Sequence, residues 1–403
     1  MNISVIIDNN PWLQNTASAN RWLSLIEGLS FQKVQIKLLI YGGYHSEKEA
    51  NDWGDKGSKN NIYYKYIKPK LIKGYWSLRF NNYIGFPLVH KKIIKLIYKD
   101  INNEKEIIWT DSSIFSFKLA VYFRKKNMTQ KLFLELSEFL DIYSYNKGNI
   151  FQRLNSSKLQ KYFESKAINS YNGIALMTKK LLLHYKKFKK LDLKLLHLPM
   201  TVDLARFNKD VVHLDEFKMP YVAFVGVMDN AKDGVNILIK AFHKISLDYP
   251  ELKLYLVGAW NYDTPFHQEL IKELKLEDRV YWVGEYPRDA ISSIICNAKL
   301  LALPRPDSKQ AQGGFPTKLG EYLATGLPVC ATSVGEIPYY LEDNKSVFFA
   351  KPGSVDSFAL AMHNALKDPI KADKVGLQGK NVAEVEFNKN IQSKTLYNFL
   401  KQL

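Results

Sequence analysis

At 403 residues, 46% apolar and 24% charged, the chain is too long for one hydrophobic core and too apolar to be disordered, so two domains of roughly 150–200 residues are expected. Only two cysteines are present, Cys296 and Cys330, which excludes a disulfide framework and points to a reducing compartment. The net charge of +17 is lopsided. Residues 1–210 hold 35 Lys and Arg against 17 Asp and Glu, whereas residues 211–403 hold 22 against 23, so the N-terminal half is expected to face something anionic.

The first ten residues, MNISVIIDNN, lack the basic and long apolar regions of a signal peptide, and no stretch of 18 uninterrupted apolar residues occurs. A cytoplasmic protein, peripheral on the inner face of the cell membrane, is expected. In the N-terminal half the apolar runs 3–7, 34–40, 107–110, 131–136 and 173–177 read as strands, and 16–29 as a helix. Two further helices are basic. In 87–101, Val89, Ile93, Leu96 and Ile97 share a face, with Lys91, Lys92, Lys95 and Lys99 opposite or flanking; 178–190 carries six lysines. The aromatic segment 73–86 precedes the first and suits a membrane interface.

The polar stretch 208–220, NKDVVHLDEFKMP, reads as a linker. It divides a domain over 1–210 from one over 211–387, with a final helix over 388–403 that packs back on the first. Beyond it, strands are expected at 221–226, 252–258, 279–284, 299–304, 328–332 and 346–350. Helices fall between them near 234–247, 265–275, 287–297 and 316–325, and a last one at 355–367. Near-continuous apolar strands alternating with amphipathic helices specify an α/β fold of two doubly wound, Rossmann-like domains facing a cleft. A dinucleotide dehydrogenase is excluded, because the first turn, DNNPWLQNTASANR, contains no glycine to cradle a pyrophosphate.

The stretch with most chemistry is GGFPTKLGEYLATGLPV, 313–329. Gly313 and Gly314 permit positive φ and close backbone approach. Pro316 suits the first turn of a helix, and Gly326 with Pro328 closes it. Lys318 sits at the helix end where the dipole disfavours a cation, a conflict a bound phosphate would resolve. Glu321, three residues on, shares its face; an ion pair with Lys318 and a hydrogen-bonding role toward a ribose both fit.

This segment resembles the donor-binding segment of the family-4 glycosyltransferases, retaining enzymes of the GT-B fold. PMTVDLARF (199–207), FVGVMDNAKDGVNILIKAF (224–242) and YLVGAW…RVYWVGEY (255–286) match the same family in order, so the resemblance covers residues 199 to about 367. It implies that Lys232, in the turn after Gly226, binds the donor diphosphate. Lys318 and the amides around Gly314 and Phe315 would join it on the diphosphate or the sugar. Glu321 would hold the ribose, and Gly284, Glu285 and Tyr286 would line the nucleobase. The chain departs from the family pattern at Gly313, where a sugar-contacting glutamate is usual, and at Val227, where an arginine is usual. Asp307 and Gln312 are candidates to replace the first, Arg305 and Lys318 the second. The usual N-domain histidine is absent from LFLELSEFLD (132–141), leaving Glu138 as the candidate toward acceptor or sugar. His45, His90, His184 and His197 follow no ligand spacing and read as surface or packing residues.

The resemblance implies transfer of a sugar from a nucleotide-diphosphate donor to a lipid-linked or polysaccharide acceptor in cell-surface glycan synthesis. No metal and no further cofactor is expected, Lys232, Lys318 and Glu138 being the catalytic candidates. A sugar-nucleotide epimerase of the same fold and a non-catalytic relative are the alternatives. Nucleic acid is not an expected partner, since no helix-turn-helix, zinc or RNA-binding motif accompanies the charge.

Overall fold

The computed structural model describes all residues except Asn15, 73–86, 102–105, 142–149, Leu191, 208–213 and Met219, and no side chains for 87–91 and 150–153. The chain forms two compact units, Met1–Leu198 with Ser393–Leu403, and Pro199–Gln392. The division thus falls before the polar stretch 208–220, not within it. Residues 208–213 and Met219 lie outside the described residues, but Phe217 is buried in the second unit, with its ring 4.8 Å from Tyr255 and 5.8 Å from Tyr221. One well-placed aromatic anchors a segment whose polar neighbours read as a linker.

The first unit is built on an eight-stranded sheet. Its strands are β1 (Asn2–Ile7), β2 (Gln35–Ile40), β3 (Lys56–Lys59), β4 (Ile62–Tyr66), β5 (Ile107–Thr110), β6 (Lys131–Leu136), β7 (Gly173–Leu176) and β8 (Lys194–His197). They lie in the order β3-β4-β2-β1-β5-β6-β7-β8, all parallel except the β3–β4 hairpin. The second unit carries β9 (Tyr221–Val225), β10 (Lys253–Val257), β11 (Val280–Gly284), β12 (Leu300–Leu303), β13 (Val329–Thr332) and β14 (Phe348–Ala350). Its sheet is wholly parallel, in the order β11-β10-β9-β12-β13-β14. Both sheets reverse direction of winding beside their first strand, between β1 and β5 and between β9 and β12. Ligands of doubly wound sheets bind at such a switch point, outside the carboxyl ends of the strands.

Helices cover both faces. The helix Val235–Ile245 buries Val235, Leu238, Ile239, Ala241, Phe242 and Ile245, the 3.6-residue stripe its sequence carries. The basic helix Pro87–Asp100 buries Ile93, Ile94 and Ile97 and leaves Leu96 exposed, so Ile94 takes the inward place expected for Leu96; Val89 and Lys91 lie outside the described side chains. Segment 73–86 lies outside the described residues. The six lysines of 179–190 are all exposed, with Leu181 and Tyr185 buried beneath them. In the helix Lys389–Leu400, the residues from Ser393 onward belong to the first unit, where Leu396, Phe399 and Leu400 join the core around Ile3, Val5 and Phe133. Among the described residues no helix is long and apolar enough to cross a membrane.

Candidate functional site

At the switch point of the second unit, β9 runs out through Val225 and Gly226 into a turn that ends at Gly234. The Asp229 side chain accepts the Lys232 N–H at 2.8 Å, and the Asp229 carbonyl accepts those of Asp233 and Gly234. Gly234 opens the Val235–Ile245 helix with φ +70°, and a Cβ there would come within 2.2 Å of the Pro304 carbonyl oxygen. Only glycine lets the turn lie against the loop after β12, the loop that carries Arg305.

Lys318 converges on the same point from the helix Thr317–Thr325. Its ammonium lies 2.9 Å from Asp233 Oδ1 and 4.7 Å from the centroid of the Phe224 ring. A Cβ on Gly226 would stand 2.1 Å from that ammonium, so the missing side chain at the end of β9 is where Lys318 sits. The two charged side chains are 17% and 1% exposed. Burial pushes the Lys318 pKa down and Asp233 pulls it back up, while Lys232 and Arg305 push it down again. The Lys318 ammonium thus has one buried carboxylate as partner and two further cations repelling it, a balance that an arriving anion would improve. Pro316 is the cap of this helix, not its first residue, and offers no side-chain acceptor to the first turn.

Several expectations for this segment change. Gly313 closes a short helix, Lys309–Gly313, and Gly314 is its C-cap at φ −110°; neither is in the left-handed region. The Gly314 N–H is taken by the Gln310 carbonyl, so it is not available to a diphosphate as expected. Phe315 is buried, its ring 5.1 Å from Phe387 and 5.7 Å from Tyr340, a packing residue behind the loop. Asp307 and Gln312, the candidates to replace the glutamate missing at Gly313, hydrogen-bond to each other at 2.7 Å.

Glu321 does not pair with Lys318. Its Oε1 accepts from Arg206 Nη1 at 2.8 Å, and Arg206 also donates to the Arg288 carbonyl. The stretch PMTVDLARF serves to deliver that arginine: Val202 is pinned to Phe387 and Lys389 by backbone hydrogen bonds, and the turn Leu204–Arg206 follows. Gly284 ends β11 at φ +78°, with its carbonyl accepting from Gly258, and Glu285 is exposed. Tyr286 donates to Glu216 Oε1 at 2.8 Å; burial and that carboxylate push its hydroxyl up to about 12.

The first unit has its own concavity at its switch point, a cavity of about 300 Å³. Asp8, Asn9, Asp111, Ser113, Glu135 and Ser137 are among its lining residues. Glu138, the residue singled out from the sequence, is not one of them; Glu135 and Ser137 are. The Asp8 N–H donates to Asp111 Oδ2 at 3.0 Å, and Tyr41 O–H reaches the same oxygen at 3.0 Å. Burial, and then repulsion from Asp111, raise the Asp8 pKa to about 6. Beneath them Arg21 Nε meets Glu135 Oε1 at 3.2 Å, 2% and 5% exposed. These carboxylates carry no motif. The available signal was an acid directly after an apolar run, IID at 6–8 and IIWTD at 107–111. Of the histidines, His45 meets Asn9 Oδ1 at 2.7 Å and His184 meets Glu164 at 2.7 Å, while the side chain of His90 lies outside the described residues.

The sequence model of the family described as glycosyl transferases group 1 matches residues 207–382. This segment is a group 1 glycosyltransferase domain. AmsK of Erwinia amylovora, an amylovoran biosynthesis glycosyltransferase, is 28% identical over 173 residues, 43% of this chain and 42% of its own. A GDP-mannose-dependent monoacylated alpha-(1-6)-phosphatidylinositol monomannoside mannosyltransferase of Corynebacterium glutamicum is 24% identical over 221 residues, 51% of this chain and 55% of its own. The chain spans about half the length of the curated relatives it matches. Among solved structures, HepE of Anabaena in complex with UDP superposes with a TM-score of 0.70 at 14% identity, over 100% of each chain. That likeness places the whole chain in the GT-B fold, with the glycosyltransferase domain holding the Lys232–Lys318–Arg305 cluster at its switch point.

Proposed function

We propose that the protein is a retaining, family-4 glycosyltransferase that moves a sugar from a nucleotide-diphosphate donor to a lipid-linked or polysaccharide acceptor. The observation that carries this reading is the buried Lys318–Asp233 pair at the switch point of the group 1 domain, with Lys232 and Arg305 near enough to repel the Lys318 ammonium. Charge that develops on a departing nucleoside diphosphate is stabilised where fixed cations already wait in a water-poor setting. Relatives named for amylovoran biosynthesis and for a phosphatidylinositol mannoside acceptor support a cell-surface glycan product. The UDP complex of the structural neighbour supports a nucleotide-linked donor.

In this reading Lys232 and Lys318 bind the diphosphate, Arg305 supplies the cation missing at Val227, and Glu321 turns a carboxylate oxygen to the ribose. The diphosphate itself takes the acceptor proton, and no metal is needed for the charge work. The cavity beside Asp8 and Asp111 receives hydroxyls of the acceptor. The exposed lysines of 179–190 hold the protein to an anionic membrane face, each worth roughly 1 kcal/mol near the surface. The deciding experiment incubates the full chain with a panel of UDP- and GDP-sugars, with and without membranes and with and without EDTA. Free sugar or glycolipid from one donor, unaffected by EDTA and with the anomeric configuration kept, is the expected result. Epimerised donor would replace the reading with an epimerase, and binding without turnover with a non-catalytic relative.

A further inference from the structure

His267 lies in the helix Thr264–Glu273, 2% exposed, against the turn that carries Lys232 and Asp233. The Asn236 N–H donates to Asn230 Oδ1 at 3.0 Å, which identifies that atom as the amide oxygen. The 2.7 Å contact of His267 Nε2 with the same oxygen is therefore an N–H donating. The other ring nitrogen, Nδ1, is then the bare acceptor, and it is buried with no hydrogen-bond partner. Asn230 is held on its other side too, its N–H donating to Asp263 Oδ2 at 2.8 Å. The charged groups facing the ring are Asp263, at the start of its own helix, and Asp229, on the turn. Tyr262 donates to Asp229 Oδ2 at 3.3 Å, and the Phe266 ring stands 5.8 Å from the imidazole.

We propose that His267 is a positioning residue of the donor site: as the neutral Nε2–H tautomer it pins Asn230 and thereby sets the turn from which Lys232 and Asp233 act. The inference rests on the donor reading of the second unit. Its chemistry separates from ordinary packing, because a leucine or phenylalanine would fill the space without leaving a nitrogen unpartnered, but would leave Asn230 Oδ1 without its side-chain donor. Burial keeps the imidazole neutral, its pKa below the ordinary 6.5 despite Asp263 and Asp229. The unfolded chain takes up this proton first, so the contribution is complete above 6.5 and lost as pH falls through the folded value.

The test uses the full chain, the variants His267→Gln and His267→Leu, and UDP and GDP as probes, with nucleotide affinity followed by calorimetry from pH 8 down to about 5.5, across the ordinary histidine range. Nitrogen-15 spectra of labelled histidine and of the Asp229–Gly234 amides are recorded alongside. The expected results are an Nε2–H tautomer, at least tenfold weaker nucleotide binding by His267→Leu, and recovery in His267→Gln, whose amide keeps a donor near the same place but does not titrate. Protonation would leave the Nε2–H donor in place, so the native and glutamine proteins should share one pH profile of binding. An Nδ1–H tautomer, or leucine and native proteins binding equally well, overturns the proposal. If the native chain binds neither nucleotide, the donor reading fails, and the amide spectra decide on the pin itself. Turn resonances displaced by leucine and restored by glutamine support it; unmoved resonances overturn it. Should His267→Leu fail to fold, the native tautomer and the nucleotide affinity of His267→Gln still decide.

Discussion

The ammonium of Lys318 and the carboxylate of Asp233 stand 2.9 Å apart, joining the first turn of one helix to the last residues of the turn before another. Because Asp233 is almost fully buried, removing Lys318 strands a buried carboxylate without its paired ammonium. Lys318→Ala is expected to lower unfolding free energy by about 3 kcal/mol, and Lys318→Ala with Asp233→Asn by clearly less. Denaturant unfolding of the three proteins measures this. Turnover should fall roughly 100-fold in both variants, since neither restores the cation.

Glu321 and Arg206 allow the structural and ligand roles of one carboxylate to be told apart. Glu321→Gln is expected to weaken UDP or GDP binding about tenfold, near 1.4 kcal/mol, and to leave inorganic diphosphate binding unchanged, because only the nucleotide carries a ribose. Arg206→Ala should cost about 1 kcal/mol of stability through the lost charge-assisted hydrogen bonds. Equal losses for nucleotide and diphosphate would remove the ribose assignment.

Asp8 gives a pH signature of its own. Its pKa is raised from the usual 3.8 to about 6, so the folded chain keeps a proton there that the unfolded chain has already lost. Stability from this site is full below about 4 and is lost as pH rises through about 6. Asp8→Asn should therefore stabilise the protein at neutral pH by on the order of 1 kcal/mol, with the gain vanishing toward acid. Thermal unfolding of both proteins at several pH values checks the sign as well as the size.

The buried Arg21–Glu135 pair predicts a different pattern. Arg21→Met is expected to cost 3–5 kcal/mol, roughly what a stranded buried charge costs, while Arg21→Met with Glu135→Leu recovers most of it. Chemical denaturation of the single and double variants would show the recovery or its absence.

Legibility in the sequence followed the physics of burial. The strands of the second unit, YVAFV, KLYLV, VYWVG and LLAL, are nearly unbroken apolar runs because both faces are covered, and they lie within one or two residues of where the pattern puts them. The hairpin β3–β4 escaped, since KGSK and IYYKY lie at the edge of their sheet and carry few aliphatics. The helix Pro369–Glu386 escaped for a different reason. It buries Ala372, Val375, Gly376, Gly379 and Ala383, and a Cβ on Gly376 would stand 2.3 Å from the Gly326 carbonyl oxygen. A helix that packs this closely needs small residues, and small residues leave no apolar stripe to read. At the site, the motif located Lys318 and Glu321, but their partners Asp233 and Arg206 come from turns 85 and 115 residues away. Spacing within a helix suggested that the two pair with each other; tertiary contacts send them apart.

The last eleven residues bear on how the chain comes to be folded at all. Gly173, the first residue of β7, is bare because Phe399 and Leu403 occupy the space a Cβ would take, each within 3.0 Å of it. The sheet that begins with residue 2 is thus sealed by residues translated after those of the second unit. The N-terminal half, though made first, has to wait with part of its apolar surface open until its own final segment arrives.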